Sequence, residues 1–272
     1  NNSEATTIVA LSNFAATVEK ALPEMKMLKN IIITDLGDLF PWPKALMTNF
    51  VLKYILRKIP SYHLPKVISF KQGLKQGRDL GFKRVDISNE DTAFLQYTGG
   101  TTGVSKGAIL THRNIIANLQ QADAWFNGIL GGGQEIIITA LPLYHIFSLL
   151  ANCFFFTKLG GLNVLITNPR DISTMIKEMK RFKFTAITGV NTLFNALLND
   201  PRFATLDFSH MHLALGGGMA VQRAVAEKWQ GVTGAPLLEA YGLTETSPCV
   251  TINPANLKSY NGTIGLPVSS TD

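Results

Sequence analysis

The sequence predicts an α/β fold in which mostly parallel sheets are covered by helices on both faces. From residue 135 onward, short apolar stretches typical of buried strands alternate with stretches in which apolar residues recur at helical spacing. Strands joined by helical crossovers form parallel sheets with helices on their faces. Four clusters of glycine or polar residues each come directly after a predicted strand. These clusters lie at 97–107, 141–147, 216–219 and 241–245. Ligands of such sheets bind at the carboxyl ends of the strands, so these clusters predict one shared site.

The alternation of apolar strands and helical spacing predicts the individual elements from residue 111 onward. Strands are predicted at residues 135–140, 162–167, 184–189, 213–215 and 237–240, and the last of these is the last clear strand. Helices are predicted at residues 111–126, 147–158, 172–181, 190–198 and 220–232. Thr111 is the expected N-cap of the first helix, because its hydroxyl can accept a hydrogen bond from a free backbone N–H.

Residues 1–89 are predicted to form a partial N-terminal subdomain, and residues 90–272 the unit that holds the site. The spacing of Ile8, Leu11 and Phe14 predicts a helix over residues 6–22, and Pro23 ends it. A β-branched strand is predicted at 30–34. A polar, glycine-punctuated connector at 73–89 marks the boundary between the two parts.

A helix predicted at residues 45–59 combines a broad apolar arc with a narrow basic strip. The arc contains Met47, Phe50, Val51, Tyr54, Ile55 and Ile59, the strip contains Lys53 and Arg57, and Trp42 and Tyr62 flank the helix. A basic, aromatic-flanked apolar helix can lie on an anionic membrane. It can also pack in the core against the main sheet, and the width of the arc favours this second interpretation.

The charge distribution indicates an anionic partner surface. The chain carries a net charge of +6, and residues 39–78 contain eight Lys or Arg and no Asp or Glu. No groove-reading motif accompanies these cations, which argues against a nucleic-acid partner. Two cysteines are too few for a disulfide framework, the first residues do not have the pattern expected of a signal peptide, and no apolar run approaches the roughly 20 residues of a membrane span. We therefore expect a cytoplasmic protein, peripheral on the inner face of the cytoplasmic membrane.

The segment from Tyr97 to Gly107, YTGGTTGVSKG, has the composition of a polyphosphate site. Glycines allow close backbone approach, and backbone N–H groups, hydroxyls and the Lys106 ammonium can bind phosphate oxygens. A plain glycine-rich loop is the alternative. The Walker loop and the dinucleotide-binding motif are both absent, because Gly107 follows Lys106 and the other glycines fall at 99, 100 and 103.

The other clusters offer complementary chemistry. Tyr241 can stack on a purine, Thr244 can donate to phosphate, and Glu245 offers a hard oxygen for Mg²⁺. Taken singly, each cluster has a simpler interpretation: a turn with a surface glutamate at 241–245, a core histidine at His145, and a tight strand-to-helix turn at 216–218.

Three segments resemble the signatures of acyl-adenylate-forming enzymes. Residues 97–107 resemble the phosphate loop of these enzymes, with Gly99 and Ser105 at positions usually held by serine and proline. Tyr-Gly-Leu-Thr-Glu at 241–245 and Leu-Pro-Leu-Tyr-His at 141–145 resemble two further signatures. The likeness is to the bacterial long-chain fatty-acid–CoA ligases, and it extends along nearly the whole chain.

The resemblance implies a role for individual residues. The implied catalytic residues are Lys106, His145, Thr244 and Glu245. The implied ATP- or AMP-binding residues are Thr98, Gly99, Gly100, Thr101, Thr102, Gly103, Lys106, Gly216, Gly217, Gly218, Glu239, Ala240, Tyr241, Gly242 and Thr244. The implied Mg²⁺ ligands are Glu245 and Thr98, and the implied walls of the acyl pocket are His145, Phe147, Val190 and Gly217.

The resemblance also implies a reaction and its partners. A long-chain fatty acid would react with ATP to give an acyl-adenylate and then with coenzyme A, with Mg²⁺ as cofactor and a homodimer as the assembly. The family's ribose-binding segment, a downstream arginine and a catalytic lysine follow the point where this sequence ends, so we expect an internal fragment of the large N-terminal domain with little turnover alone. The alternatives are an adenylate former that passes the acyl group to a carrier protein, and a non-catalytic lipid- or membrane-docking module.

Overall fold

A computed structural model of the chain describes residues 3–99 and 106–271. The chain divides into two units, Asn1–Asp86 and Ile87–Asp272. These units are defined by packing alone, so the functional subdomain boundary after residue 89 stays a prediction. Gly100, Thr101, Thr102 and Gly103 of the predicted phosphate loop lie outside the described residues. In the described ranges, no helix has both the length and the apolar composition needed to cross a membrane.

The first unit is built on a small parallel sheet. Its strands, in sheet order, are β1 (Thr7–Leu11), β2 (Asn30–Thr34) and β3 (Val67–Ser69). Its helices are α1 (Ala15–Ala21), α2 (Lys44–Phe50) and α3 (Phe70–Leu80). Ala15, Ile31 and Ile33 form the buried centre of this unit, where α1 packs on β2.

Two sequence predictions for this unit are wrong in part. The helix predicted at 6–22 begins instead as β1, because Ile8 pairs with Ile31 in a parallel register that the local spacing could not reveal. The connector predicted at 73–89 contains most of α3. The Ser69 hydroxyl caps this helix by accepting a hydrogen bond from the Gln72 N–H at 3.2 Å, and Gly81, with φ of +71°, ends it.

The helix predicted at 45–59 is present, but its apolar arc does not face the core as the favoured interpretation expected. It is α-helical over α2 and continues as a π-helical turn at Val51–Ile55. Ala45 is buried, whereas Met47, Phe50 and Tyr54 of the predicted apolar arc are exposed. The core-packed interpretation is therefore wrong for the described chain, since most of the arc points outward.

The second unit opens with an antiparallel hairpin and continues as an α/β sheet. The hairpin consists of β4 (Thr92–Thr98) and β5 (Lys106–Thr111). The sheet strands are β6 (Ile136–Thr139), β7 (Leu162–Leu165), β8 (Ala186–Gly189), β9 (Leu213–Gly216), β10 (Leu238–Gly242), β11 (Cys249–Ile252) and β12 (Leu266–Pro267), in the order β12-β11-β10-β9-β8-β6-β7. The strands from β7 to β10 are parallel, and β11 and β12 add an antiparallel edge.

Helices cover both faces of this sheet. They are α4 (His112–Trp125), α5 (Ile146–Ser148), α6 (Phe155–Lys158), α7 (Ile172–Met179), α8 (Asn191–Leu198) and α9 (Arg223–Thr233), with a π-helical segment, Leu149–Phe154, joining α5 to α6. Adjacent residues of β6 face the two opposite helix layers. Ile138 packs in the cluster with α7, α8 and α9, and Ile137 packs in the cluster with α4 and α6. The predicted fold class is confirmed.

The sequence missed three strands of this unit. β5 begins within the stretch assigned to the glycine-rich loop, 97–107, and continues to Thr111, and β11 and β12 follow the strand predicted to be the last. Each of them depends on an antiparallel partner: β5 on β4, β11 on β10, and β12 on β11. Short strands of mixed polarity give little local signal, because cross-strand pairs stabilise them.

Candidate functional site

A cavity of about 410 Å³ lies at the carboxyl ends of the parallel strands, within the volume range of small-molecule sites. Its lining includes predicted site residues from all four strand-end clusters: Thr98, Gly99, His145, Phe147, Gly217, Gly218, Ala240, Tyr241, Gly242, Thr244 and Glu245. Residues separated by more than a hundred positions in the sequence therefore surround one space.

The hairpin brings the described ends of the predicted phosphate loop to this cavity. Thr98, the last residue of β4, pairs with Lys106, the first residue of β5. β5 also contacts the 3₁₀ turn Thr244–Thr246, which contains Glu245. Lys106 is exposed at the hairpin end and is not among the residues that line the cavity. Thr98 and Glu245 thus line the same cavity, and Lys106 lies beside Thr98 at the end of the hairpin.

The segment Tyr241–Glu245 is fixed by a close approach of two chain segments. An added Cβ on Gly242 would lie 1.9 Å from the carbonyl oxygen of Pro248, so only glycine fits there. The Leu243 N–H donates to Pro248 O at 3.1 Å, which closes the turn that carries Thr244 and Glu245. Tyr241 and Glu245 are exposed at the cavity. Within the described residues, no protein group hydrogen-bonds or ion-pairs with the Glu245 carboxylate.

His145 is positioned by the start of the apolar helix. Its Nδ1 accepts a hydrogen bond from the Phe147 N–H at 3.3 Å, so a neutral imidazole carries its proton on Nε2. The preceding residue, Tyr144, is held by its carbonyl, which accepts from Gln96 Nε2 at 2.5 Å. Gly217 lies opposite, where an added Cβ would be 3.1 Å from the Phe147 ring. This arrangement leaves Nε2–H available to an anionic group in the cavity.

Three further predicted site residues do not reach the cavity. Glu239 is buried, with 5% of its surface exposed, and its Oε1 accepts from the Val221 N–H at 2.8 Å. Burial raises the pKa of this carboxyl, and the Val221 hydrogen bond partly offsets the shift. Gly216 faces Val221, and Val190 packs against the α7–α9 cluster. The Glu239 carboxylate therefore points away from the site. Its hydrogen bond with Val221 joins β10 to the segment before α9.

The cavity has an apolar depth that sequence reasoning missed. It is lined there by Ala122 of α4 and Phe126 at its C-cap, Leu150, Phe155 and Phe156 of the helical segment 146–158, and Leu213, Leu215 and Ile252 of the sheet. These residues carry only the signal of ordinary core positions, namely helical spacing or strand alternation. Their exposure to an internal space is a tertiary property.

A buried polar network supports this wall. The Thr188 hydroxyl, which lines the cavity, donates to Asn152 Oδ1 at 2.9 Å, and Asn152 Nδ2 donates to Thr139 Oγ1 at 3.3 Å. Thr139 Oγ1 in turn donates to Asn163 Oδ1 at 2.8 Å. Asn152 belongs to the π-helical segment, so the network ties that segment to β6, β7 and β8. Buried hydrogen-bonded networks rigidify the surrounding core.

One cysteine lines the cavity. Burial raises the pKa of Cys249 to about 12. Its backbone is held by Asn118, whose Oδ1 accepts from the Cys249 N–H at 3.0 Å and whose Nδ2 donates to the Cys249 carbonyl at 2.9 Å. The thiol is therefore neutral at physiological pH and contributes to the wall as a small apolar group.

Comparison with known proteins identifies relatives along the whole chain. Residues 1–272 match the family of AMP-binding enzymes. The chain is 57% identical over 272 residues to a long-chain-fatty-acid–CoA ligase of Yersinia pestis, covering 100% of this chain and 48% of that protein. The corresponding ligase of Escherichia coli O157:H7 is 54% identical with the same coverage. The chain thus spans about half the length of the curated relatives it matches.

Solved structures share the fold. The anthranilate CoA ligase AuaEII in complex with anthranoyl-AMP superposes with a TM-score of 0.78 at 20% identity, covering 98% of this chain and 46% of that one. ATP-bound MatB from Rhodopseudomonas palustris gives 0.65 at 22% identity, covering 96% and 54%. At these identities the likeness establishes the fold alone.

Proposed function

Since this chain belongs to the AMP-binding enzyme family, we propose that the protein carrying it activates a long-chain fatty acid with ATP and transfers the acyl group to coenzyme A. One observation carries the proposal: the strand-end clusters with phosphate, purine and carboxylate chemistry line one cavity whose interior is apolar. The names of the relatives favour coenzyme A over a carrier protein as the acceptor.

The proposed reaction has two steps. A carboxylate oxygen forms a bond to the α-phosphorus of ATP, and the bond from that phosphorus to the bridging oxygen breaks, releasing pyrophosphate. The thiol sulfur of coenzyme A then bonds to the acyl carbon and its proton passes to solvent, while the bond between the acyl carbon and the bridging oxygen breaks and AMP leaves with that oxygen. No protein nucleophile is needed, because a carboxylic acid with a pKa of about 4 is already ionised at neutral pH. The protein's task is to hold two anions together and to neutralise the developing charge.

Several polar residues in or beside the cavity have a place in this scheme. We assign the Tyr241 ring to the adenine, the Thr98 and Thr244 hydroxyls to phosphate oxygens, and Lys106 to the departing pyrophosphate. His145 Nε2–H donates to the acid or its adenylate, since Nδ1 is already engaged by the Phe147 N–H. Hydrogen-bond donors held in place before the reaction stabilise the charge that forms on the phosphate oxygens.

The residues present fit a Mg²⁺ ion that arrives with the nucleotide. The described residues hold no group of three or more His, Cys, Asp and Glu suited to a metal, which agrees with an ion held chiefly by phosphates. Glu245, exposed at the cavity, and the Thr98 hydroxyl would be its protein ligands. When bound, Mg²⁺ would neutralise phosphate charge.

We place the acyl chain in the apolar depth of the cavity, beside Phe126, Leu150 and Phe156. Phe147 and Gly217 stand at its entrance, and Val190 is replaced in this role by Thr188 and Ile146, which line the cavity. Gly217 matters there because any side chain would meet the Phe147 ring. The binding energy of a long chain comes from removing its methylene groups from water.

The 272-residue chain alone is proposed to bind nucleotide weakly and to show little turnover. The homodimer and the cytoplasmic location are likewise proposals for the whole protein. The alternative of a non-catalytic lipid- or membrane-docking module depends on residues 39–78 of the first unit and predicts no pyrophosphate release.

Pyrophosphate release by the full-length protein tests the proposed function. We expect release to require a fatty acid, to rise with chain length toward long acids, and to be followed by thioester formation only when coenzyme A is added. Release that is independent of any fatty acid, or equal with acetate and palmitate, would contradict the proposal. Purified 272-residue chain that forms acyl-CoA rapidly would contradict the fragment proposal alone.

A further inference from the structure

One face of β4 carries a polar side chain between an apolar anchor and the cavity. Side chains alternate along a strand, so Phe94, Gln96 and Thr98 lie on the same face of β4. The centre of the Phe94 ring lies 5.8 Å from that of the Phe154 ring, and Thr98 lines the cavity. Between them, Gln96 Nε2 donates to the Tyr144 carbonyl at 2.5 Å. This hydrogen bond ties the strand that enters the predicted phosphate loop to the turn that precedes α5.

The same hydrogen bond holds the peptide unit that joins Tyr144 to His145. A peptide unit is planar, so its carbonyl and its N–H turn together. The Tyr144 carbonyl accepts from Gln96. The His145 N–H donates to the Pro142 carbonyl at 3.0 Å. One bond comes from the hairpin and the other from the turn itself, and together they fix the plane from which the His145 side chain starts.

Apolar packing does not select the direction of the His145 imidazole. This side chain is exposed at the cavity, whereas the neighbouring Ile146 is buried in a cluster with Leu110 of β5. The hydrophobic effect is non-directional, so the cluster holds this part of the chain near the hairpin without orienting the ring. The bond from the Phe147 N–H to Nδ1 orients the ring on its own backbone. The Gln96 bond orients that backbone relative to β4.

We propose that Gln96 is a positioning residue, which acts on the reaction through His145 by holding the Tyr144 carbonyl. The inference rests on the proposed function, in which His145 Nε2–H donates to the acid or its adenylate. In the described part of the chain, Gln96 does not line the cavity, so its effect passes through the peptide that it holds. The role requires a donor, because a glutamate of the same shape would turn another acceptor toward the carbonyl.

Fatty-acid-dependent pyrophosphate release by the full-length protein tests the positioning role. Gln96→Met keeps the length of the side chain and removes the donor, and should lower kcat about 10- to 100-fold, because a small displacement of a reacting group is costly. The KM for ATP and the calorimetric affinity for ATP should stay within about twofold, since the nucleotide contacts remain. Gln96→Glu should lose at least as much as Gln96→Met. Unchanged kcat, or a raised KM for ATP as the only effect, would overturn the proposal.

A double-variant cycle tests whether Gln96 acts through His145. His145→Ala should lower kcat about 100- to 1,000-fold, the usual effect of losing one donor to a transition state. When His145→Ala is already present, adding Gln96→Met should cost less than about a further twofold, because the group that Gln96 positions is gone. Losses that multiply would overturn the proposal, since residues that act independently have additive free energies.

Gln230 provides the matched control. Its Nε2 also donates to a backbone carbonyl, that of Lys258, at 2.7 Å. Like Gln96 it is partly buried, and it lies in α9 away from the residues described as lining the cavity. Gln230→Met should leave kcat within about twofold. An equal loss of kcat in Gln230→Met would show that any lost hydrogen bond of this kind slows the reaction, and would overturn the proposal. Circular dichroism checks that each variant is folded.

The parent protein distinguishes this inference from the proposed function. A parent that releases no pyrophosphate in response to fatty acid would contradict the proposed function and, with it, the role of Gln96. A parent that does so, together with a Gln96→Met variant of unchanged kcat, would contradict the positioning role alone.

Discussion

Two regions of this chain are rich in apolar and aromatic residues, and they use them in opposite ways. In the helical segment 146–158, Leu150, Phe155 and Phe156 are buried and border an internal cavity. In the segment 39–58, Trp42, Phe50 and Tyr54 are exposed, and the buried side of the helix holds Ala45. Similar composition thus gives a binding cavity in one unit and an outward-facing surface in the other.

The difference lies in what each helix finds on its inner side. The segment 146–158 packs on a sheet whose strands present apolar residues on that face, such as Ile137 and Leu215. The segment at 44–55 instead meets the polar loop after β2, where Asn49 Oδ1 accepts from the Gly37 N–H and Asn49 Nδ2 donates to Asp38 Oδ1 at 3.5 Å. The direction of an amphipathic helix is therefore set by its partner.

Removing one phenylalanine from each region gives the largest contrast. Phe156→Ala should lower the free energy of unfolding by about 3–5 kcal/mol, because it opens a void at a fully buried ring. Phe50→Ala, the matched variant, should lower it by less than about 1 kcal/mol, because exposed side chains lose little on truncation. Urea unfolding of the full-length protein measures both. Equal losses would mean that the whole protein covers Phe50.

Changing the charge of one carboxylate tests whether the cavity is catalytic. Glu245→Gln keeps the shape and removes the charge at the cavity, and should lower acyl-CoA formation about 100-fold. The Mg²⁺ concentration for half-maximal rate should also rise, which loss of structure alone would not produce. Glu227→Gln, on the exposed surface of α9, is the control and should stay within about twofold. Unchanged activity in Glu245→Gln would remove this residue from the site.

A single methyl group tests how tightly the cavity wall is built. Gly242→Ala should cost about 2 kcal/mol of folding stability and disrupt nucleotide binding, because its Cβ would overlap Pro248. Gly231→Ala is the control, since no atom lies within 4 Å of its added Cβ. In the last turn of α9 this change should raise stability by up to about 0.5–1 kcal/mol. Thermal unfolding distinguishes the effects of the two substitutions on stability. Unchanged stability in Gly242→Ala would show that the turn can relax to accept the methyl group.

The smallest expected effect on stability and activity at neutral pH concerns the thiol in the cavity wall. Because burial raises the pKa of Cys249 from 9.0 to about 12, iodoacetamide at pH 9 should label it more than about 100-fold more slowly in the folded protein than in urea. The stabilisation linked to this neutral thiol is fully present below pH 9 and is lost as the pH rises toward 12. Mass spectrometry of the labelled peptide measures the rate, with Cys249→Ser as the blank. Fast labelling would mean that the cavity opens readily.

The sequence predicted the site better where chemistry and strand ends coincide. The family resemblance implied roles for Thr98, His145 and Glu245, each of which also lies at or after a strand end, and the structure places them around one cavity. Glu239 was predicted to bind the nucleotide together with Ala240, which lines the cavity, but its side chain points the other way because successive residues of a strand face opposite sides. The apolar depth and the Asn152 network carried no local signal, because their partners lie tens of residues away.

The amino-acid sequence by itself determined the alternation of strands and helices, the motifs at the strand ends, and which residues share a helix face. Only the tertiary structure decided which face is buried, since that choice depends on segments distant along the chain. It turned the arc of Phe50 and Tyr54 outward and paired residues 7–11 with β2 as a strand. Local spacing fixes the geometry of a face, and the free energy of burial is supplied by whatever packs against it.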